Sequence, residues 1–291
     1  MSYCTASDVR AAIDFPSTGA PISDADIEEF ITDSEEEIEE LYKTMFGNVE
    51  ASGTADGDYS TTTFSDSTQA FTVNLYDGYV VWINGGTGSG QYREITANTA
   101  TKITVSPAFS TTPDATSTYK ITKLGYKDQT VDGSGTDVQF VDFQPLVNLN
   151  ELTIDSTEIT TSSVYQYNDS GKLALSTSAE SRFFTITYPQ LVNIKYVYGV
   201  YPLPRIIKRL CIIIAAMRAL SAQIAGTYDD FTSFNLPGGV TGSKGEPYTN
   251  IQSALMKLQA EAKGIVYGDK SSALGADFRN LPSYRPFTLF G

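Results

Sequence analysis

The residues of this chain that could do chemistry are mainly acids, because its 291 residues include 34 aspartates and glutamates but no histidine. Two carboxylate pairs stand out by their spacing, Asp56 with Asp58 and Asp229 with Asp230. Paired carboxylates perform acid–base catalysis only where a cleft moves their pKa values apart. The first pair lies in a turn-like stretch and the second follows a helical stretch, so both are interpreted as exposed acids. A hydrolase that uses acids alone is therefore the least favoured alternative.

Nucleophilic and metal-dependent chemistry have few candidate residues. The absence of histidine removes the Ser-His and Cys-His nucleophile pairs and the commonest zinc ligand. Only two cysteines, Cys4 and Cys211, are present, which excludes a disulfide framework or a cysteine-rich metal site. Cys211 lies in an apolar stretch and is interpreted as a small buried side chain. We therefore expect no enzyme activity, no metal and no cofactor.

A glycine-rich stretch, INGGTGSGQYREITAN, begins at Ile83 and has the glycine density of a phosphate-binding loop. Such loops need a lysine after the last glycine and a helix whose N-terminal amides hold the phosphate. Here the chain continues from Gly90 into a strand-like pattern without that lysine. The sequence therefore predicts a tight turn between strands, made by Gly85, Gly86, Gly88 and Gly90, and not a nucleotide site.

Trp82, the only tryptophan, raises the alternative of a carbohydrate-binding adhesin. Four nearby tyrosines could join it in a sugar-stacking platform: Tyr59, Tyr76, Tyr79 and Tyr92. Packing of these aromatic side chains in a core is the preferred interpretation. The adhesin alternative predicts glycan binding by the isolated segment 48–126 that is lost in the Trp82→Ala variant.

Hydrophobic periodicity predicts four helices, at about residues 5–15, 23–46, 204–226 and 247–264. The second has an apolar stripe on one side and a run of acids on the other. The third helix is apolar around most of its circumference, which predicts a buried helix at the centre of the core.

Thr-rich alternation replaces the helical pattern from about residue 48 to residue 126 and predicts a compact all-β module. A second β segment of four to six strands follows, up to about residue 199. We therefore predict an α+β fold, with a helical core of about four helices, a β segment and an inserted all-β domain. The core comprises residues 1–47 and 127–291, with an extended tail from about residue 270, and the inserted domain comprises residues 48–126.

The net charge of −14 and the isoelectric point of about 4.4 predict that the protein repels nucleic acid. The longest apolar run, residues 210–217, is too short to cross a bilayer, and no signal peptide is recognised. We therefore expect folding in the cytosol and no membrane partner.

Charge is unevenly distributed, with an acidic second helix and a basic region from residue 205 to residue 285. Opposite charges at two ends of a chain allow copies to pair head to tail, and such contacts close into rings. Six residues are the candidates for contacts between subunits: Glu36, Glu37, Glu40, Arg205, Lys208 and Arg209.

Two stretches resemble the head–tail connector (adaptor) family of long-tailed phages. The first is YCTASDVRAAI followed by ISDADIEEFITDSEEEIEELY, and the second runs from VNLNELTID to the long apolar helix. The most specific part is a strand ending in Tyr-x-Tyr-Gly, then a proline, then that helix. The stretch from Trp82 to about residue 121 is similar to a β module that recurs in phage structural proteins. Members of the family are usually compact, so the large insertion is a departure.

The resemblance implies a non-enzymatic ring of twelve copies in the virion neck, between capsid and tail, made in the host cytoplasm. The implied partners are further copies of the chain, the portal protein, a tail or stopper protein, and double-stranded DNA. The DNA passes through the lumen without sequence-specific binding, and an acidic lumen avoids the attraction that lysine and arginine create. A tail-completion protein or a stopper is the alternative within the same class.

Portal contact is placed in the C-terminal tail, because aromatic and arginine anchors are the usual hot-spot residues of protein interfaces. The portal-contact candidates are Arg279, Tyr284, Arg285, Phe287, Leu289 and Phe290.

Overall fold

The computed structural model describes residues 2–13, 22–177, 179, 184, 191–228, 234–236, 240–242 and 245–267. Within these ranges the chain forms four α-helices and fifteen β-strands, and the named strands pair antiparallel. This mixture confirms the predicted α+β class. The predicted tail from about residue 270, with all six portal-contact candidates, lies outside the described residues.

The chain divides into two compact units. The helical unit comprises Met1–Tyr42 and Pro204–Gly291, and the β unit comprises Lys43–Leu203. The predicted boundary between residues 126 and 127 lies inside the β unit of this division.

The first sheet of the β unit has six strands in the order β1-β6-β3-β4-β5-β2. Its strands are β1 (Val49–Thr54), β2 (Thr63–Ser65), β3 (Val80–Gly85), β4 (Tyr92–Asn98), β5 (Lys102–Ser106) and β6 (Thr118–Thr122). Residues alternate between the two faces of each strand, and one face buries a core that includes Phe64, Val81, Ile83, Tyr119 and Ile121.

Seven further strands complete the β unit. They are β7 (Gly125–Val131), β8 (Val138–Phe140), β9 (Leu146–Ile154), β10 (Thr157–Ile159), β11 (Val164–Tyr167), β12 (Lys172–Leu175) and β13 (Val192–Tyr198). They form a four-stranded sheet, β10-β9-β13-β7, and a three-stranded sheet, β11-β12-β8, which share one core.

A small apolar cluster explains why the two parts of the β unit belong together. Val80 of β3 packs with Leu124 and with Val197 of β13, and Tyr92 and Tyr126 lie against them. Only two residues separate the end of β6 from the start of β7. The periodicity of a sequence shows the strands on each side of such a junction but not the cluster that joins them.

The helical unit contains α1 (Ala6–Ile13), α2 (Asp24–Tyr42), α3 (Arg205–Tyr228) and α4 (Gly245–Tyr267), with the hairpin of β14 (Phe234–Leu236) and β15 (Val240–Gly242) between α3 and α4 in sequence. Both N-terminal helices begin with a reciprocal cap. The Asp8 amide donates to the Thr5 hydroxyl at 3.2 Å, and the Asp26 amide donates to the Ser23 hydroxyl at 3.2 Å.

The central helix is α3, which contacts α1, α2 and α4. Seven consecutive residues, 210–216, are buried, so this part of the helix is covered on every side. The burial confirms the prediction that was based on its apolar girth.

Candidate functional site

The first predicted acid pair occupies exposed positions. Asp56 accepts a hydrogen bond from the Ser67 amide at 2.8 Å, and a carboxylate oxygen of Asp58 lies 3.4 Å from the Lys102 ammonium. Their exposure confirms the interpretation of the pair as exposed acids. The second pair, at residues 229–230, lies outside the described residues.

A different acid, Asp66, is buried in the β unit with 1 % of its surface exposed. It accepts hydrogen bonds from the Tyr119 hydroxyl at 2.9 Å, from the Thr68 amide and hydroxyl at 3.0 and 2.6 Å, and from the Gln69 side chain at 3.2 Å. Burial acts to raise the pKa of Asp66, but the hydrogen bonds outweigh it and hold the pKa below the ordinary value of 3.8. A carboxylate held charged by donors on both oxygens stabilises the fold and is unsuited to proton transfer.

The glycine-rich turn connects β3 to β4, as predicted, and its backbone groups bond within the chain. The Gly90 amide donates to the Ile83 carbonyl at 2.8 Å, and the Ser89 amide donates to the Gly86 carbonyl at 3.2 Å. Gly86 has a φ of +72°, and a Cβ at this position would lie 1.9 Å from the Thr116 carbonyl oxygen. The close approach of two backbone segments explains the need for glycine at this point.

Trp82 is flanked on both faces of its indole ring. Tyr92, its neighbour on β4, stacks on it with ring centroids 5.4 Å apart and planes at 5°. On the opposite side, Lys120 of β6 places its ammonium 5.4 Å from the ring centroid. Tyr76 packs with Val81 in the core on the other face of the sheet. The predicted set of aromatic residues therefore does not form one sugar-stacking surface.

An aromatic face, defined by Phe140, Tyr165 and Tyr167, is exposed on the three-stranded sheet. The three residues are 56 %, 63 % and 50 % exposed. Lys172 lies between Tyr167 and Phe140 in the strand register, and its ammonium is 4.7 Å from the Tyr167 ring centroid. The face was not among the predicted surfaces. The two tyrosines at positions i and i+2 of β11 are the sequence signal for it.

The six inter-subunit candidates fall into two groups. Glu36, Glu40 and Arg205 are exposed, and the two glutamates lie one helical turn apart on α2. The other three have ion-pair partners inside the helical unit: Lys208 with Asp8 at 3.0 Å, Arg209 with Glu261 at 2.8 Å, and Glu37 with Arg218 at 2.9 Å. A contact with a neighbouring molecule is therefore best sought at the first group.

Arg218 of α3 links two acids of α2 and leads to a prediction on stability. One terminal nitrogen of its guanidinium donates to Glu37 at 2.9 Å, and the other terminal nitrogen lies 2.9 Å from an Asp33 carboxylate oxygen. The Arg218→Ala variant leaves the two acids one turn apart without their cation, and we expect a loss of about 1 kcal/mol in urea unfolding. The loss should shrink in molar salt because the pair is partly exposed.

Arg205→Ala is the matched control for the Arg218 prediction. Arg205 is exposed at the first residue of α3, where a positive charge opposes the helix dipole. At a chain concentration too low for ring formation, its removal is expected to be neutral or slightly stabilising. If both variants unfold at the same urea concentration, the link between α2 and α3 contributes nothing to stability.

Within the described ranges, no three cysteine or acidic side chains converge on a position that suits a metal ion. None of the described helices combines the length and the apolar character needed to cross a bilayer. Comparison with protein-family models gives no match, and comparison with curated proteins also gives none.

Proposed function

We propose that this protein is a non-enzymatic structural subunit of a virion neck, a head–tail connector (adaptor) that forms a ring under the portal protein. The observation that carries the proposal is the run from β13 to α3. Strand β13 ends at Tyr198 in a Tyr-x-Tyr-Gly stretch, Gly199 turns the chain with a φ of +130°, and α3 begins after Pro204. This order is the most specific part of the resemblance to connectors, and α3 is the buried helix of its unit.

The charge distribution supports self-assembly. Helix α2 contains no basic residue and exposes Glu36 and Glu40, whereas α3 begins with the exposed Arg205. Acidic and basic surfaces on one chain allow each copy to contact the next head to tail, and such contacts close into rings. In the proposed ring of twelve copies, these three residues carry the contacts between subunits.

The proposed ring continues the DNA channel from the portal protein toward a tail or stopper protein. A net charge of −14 disfavours attraction to phosphates, so that double-stranded DNA passes without sequence-specific binding. Portal contact is proposed in the segment beyond residue 270, and deletion of the residues after Ala276 is expected to abolish attachment to portal-containing capsids. A position on the tail side of the neck in cryo-EM maps of particles would favour the stopper or tail-completion alternative.

Ring formation is tested with the purified full chain by native mass spectrometry and cryo-EM class averages. We expect a closed ring with a central passage. Replacing Glu36 and Glu40 with lysine places like charges across the proposed contact, which costs several kcal/mol. The ring population is therefore expected to fall at least about tenfold in this double variant.

Glu28→Lys is the control for ring formation, because Glu28 is also exposed on α2 but on a different side of the helix. It should leave the ring intact. A monomer at every salt concentration, or a closed assembly without a passage, contradicts the proposal.

A further inference from the structure

The helical unit brings the only two cysteines of the chain into contact. Cys4 and Cys211 are 207 residues apart in sequence, yet their Sγ atoms lie 3.6 Å from each other. The residues are 3 % and 0 % exposed, and no disulfide joins them. The core contains several dozen buried positions, so random placement of two small side chains would rarely make them neighbours.

The main chain is fixed on both sides of this cysteine pair. Cys211 lies within the fully buried stretch of α3. Cys4 precedes α1 and follows a residue that is anchored to α2, because the Tyr3 amide and hydroxyl donate hydrogen bonds to Glu35 and Glu39. The two sulfur atoms are therefore held close to each other by the fold and not by a flexible loop.

The distance between the sulfur atoms is close to what a disulfide requires. An S–S bond is about 2.05 Å long, so the atoms must approach by roughly 1.5 Å. Rotation of each side chain about its Cα–Cβ bond supplies a movement of this size. Simple core filling, the interpretation drawn from the sequence for Cys211, does not require the two cysteines to meet.

We propose that Cys4 and Cys211 form an intrachain disulfide when the protein meets a low-molecular-weight disulfide such as oxidised glutathione, and that they stay thiols in a reducing compartment. The cysteine that reacts first is Cys4, because a rare local opening of the few residues before α1 is enough to expose it, whereas Cys211 lies in the middle of the core. The bond attaches the N-terminal segment to the central helix.

The reaction is an exchange in two steps. The Cys4 thiolate attacks one sulfur of oxidised glutathione, the S–S bond of the reagent breaks, and one glutathione thiolate leaves. The Cys211 thiolate then attacks the Cys4 sulfur of the mixed disulfide and releases the second glutathione. The two cysteines lose two protons and two electrons, and the reagent takes them up as two molecules of reduced glutathione.

The experiment compares the purified full chain after incubation with oxidised glutathione and with dithiothreitol. We expect a cross-linked peptide that contains both cysteines and a chain mass lower by about 2 Da after oxidation. The bond closes a long loop of the unfolded chain, so the Tm should rise by roughly 10 °C. The Cys4→Ser variant should show neither change under the same treatment.

Peptide mapping of the wild-type chain shows whether the disulfide between Cys4 and Cys211 has formed, even if Cys4→Ser does not fold. The inference is overturned if both cysteines react with an alkylating reagent in urea after prolonged oxidation, because they have then remained thiols. It is also overturned if oxidation yields only glutathione adducts or cross-links between chains.

Discussion

The Gly86→Ala variant is expected to lose about 4 kcal/mol of unfolding free energy. Alanine must adopt a φ of +72° at this position, which costs an L-residue about 1–2 kcal/mol. Its Cβ would also lie 1.9 Å from the carbonyl oxygen and 2.3 Å from the carbonyl carbon of Thr116. Backbone atoms cannot rotate away, so the turn must move and lose the bond from the Thr87 amide to the Thr116 hydroxyl, now 3.1 Å long.

Gly90→Ala is the control that separates the steric clash of the added Cβ from the strain of a positive φ. Gly90 has a φ of +91°, but an added Cβ meets no atom within 4 Å. We expect this variant to lose only about 1–2 kcal/mol. Urea unfolding of the two variants measures the difference. Equal losses would mean that the contact of Gly86 with Thr116 relaxes at little cost.

The Asp66→Asn variant is expected to lose about 3 kcal/mol at neutral pH, because a buried charged acceptor is removed. Asparagine keeps the shape of the side chain but replaces one carboxylate oxygen with an NH₂ group. That group then faces the donors of either Tyr119 and Gln69 or Thr68. Since the packing is nearly unchanged, the loss of unfolding free energy measures the contribution of the hydrogen bonds and of the charge.

The effect of Asp66→Asn should depend on pH in a defined direction. The pKa of Asp66 is lowered in the folded protein, so its stabilisation is complete above the unfolded pKa of about 3.9 and is lost as the pH falls through the lower folded pKa. The difference in unfolding free energy between the wild-type protein and the variant should have its full value at about pH 6 and shrink below about pH 4.

Asp58→Asn is the control for the pH experiment, because Asp58 is an exposed acid in the same unit. It is expected to cost less than about 0.5 kcal/mol throughout the pH range. If the difference in unfolding free energy between the wild type and Asp66→Asn stays constant down to about pH 3, the charge of Asp66 does not contribute to stability.

Local signals were sufficient to predict the helices. The caps at Thr5 and Ser23 depend on side chains three residues away, and α1 and α2 begin beside these residues. The burial of α3 follows from its apolar girth. The glycine-rich turn was predictable for the same reason, since the strand-like residues after Gly90 exclude a phosphate-binding helix.

Contacts between distant residues were not predictable. The sequence predicts Lys208 and Arg209 as contacts with a neighbouring subunit, but it does not show that acids of α1 and α4 in the same chain pair with them. Asp66 has the local sequence of a turn acid, and its burial depends on Tyr119, which follows 53 residues later. Packing among residues that are far apart in sequence decides all three cases.

The helical unit is assembled from two stretches of the chain that are separated in sequence by the residues of the β unit. On the ribosome, α2 therefore emerges about 160 residues before α3, and α1 emerges still earlier. At a synthesis rate of about 5–20 residues per second, α1 and α2 are made roughly 10–30 s before the helix that covers them. Ile27, Ile31 and Ile38, all buried against the finished unit, are exposed on the nascent chain during that interval. Translation speed and chaperone binding therefore affect the yield of folded protein more strongly here than in a chain whose contacting helices follow one another directly in sequence.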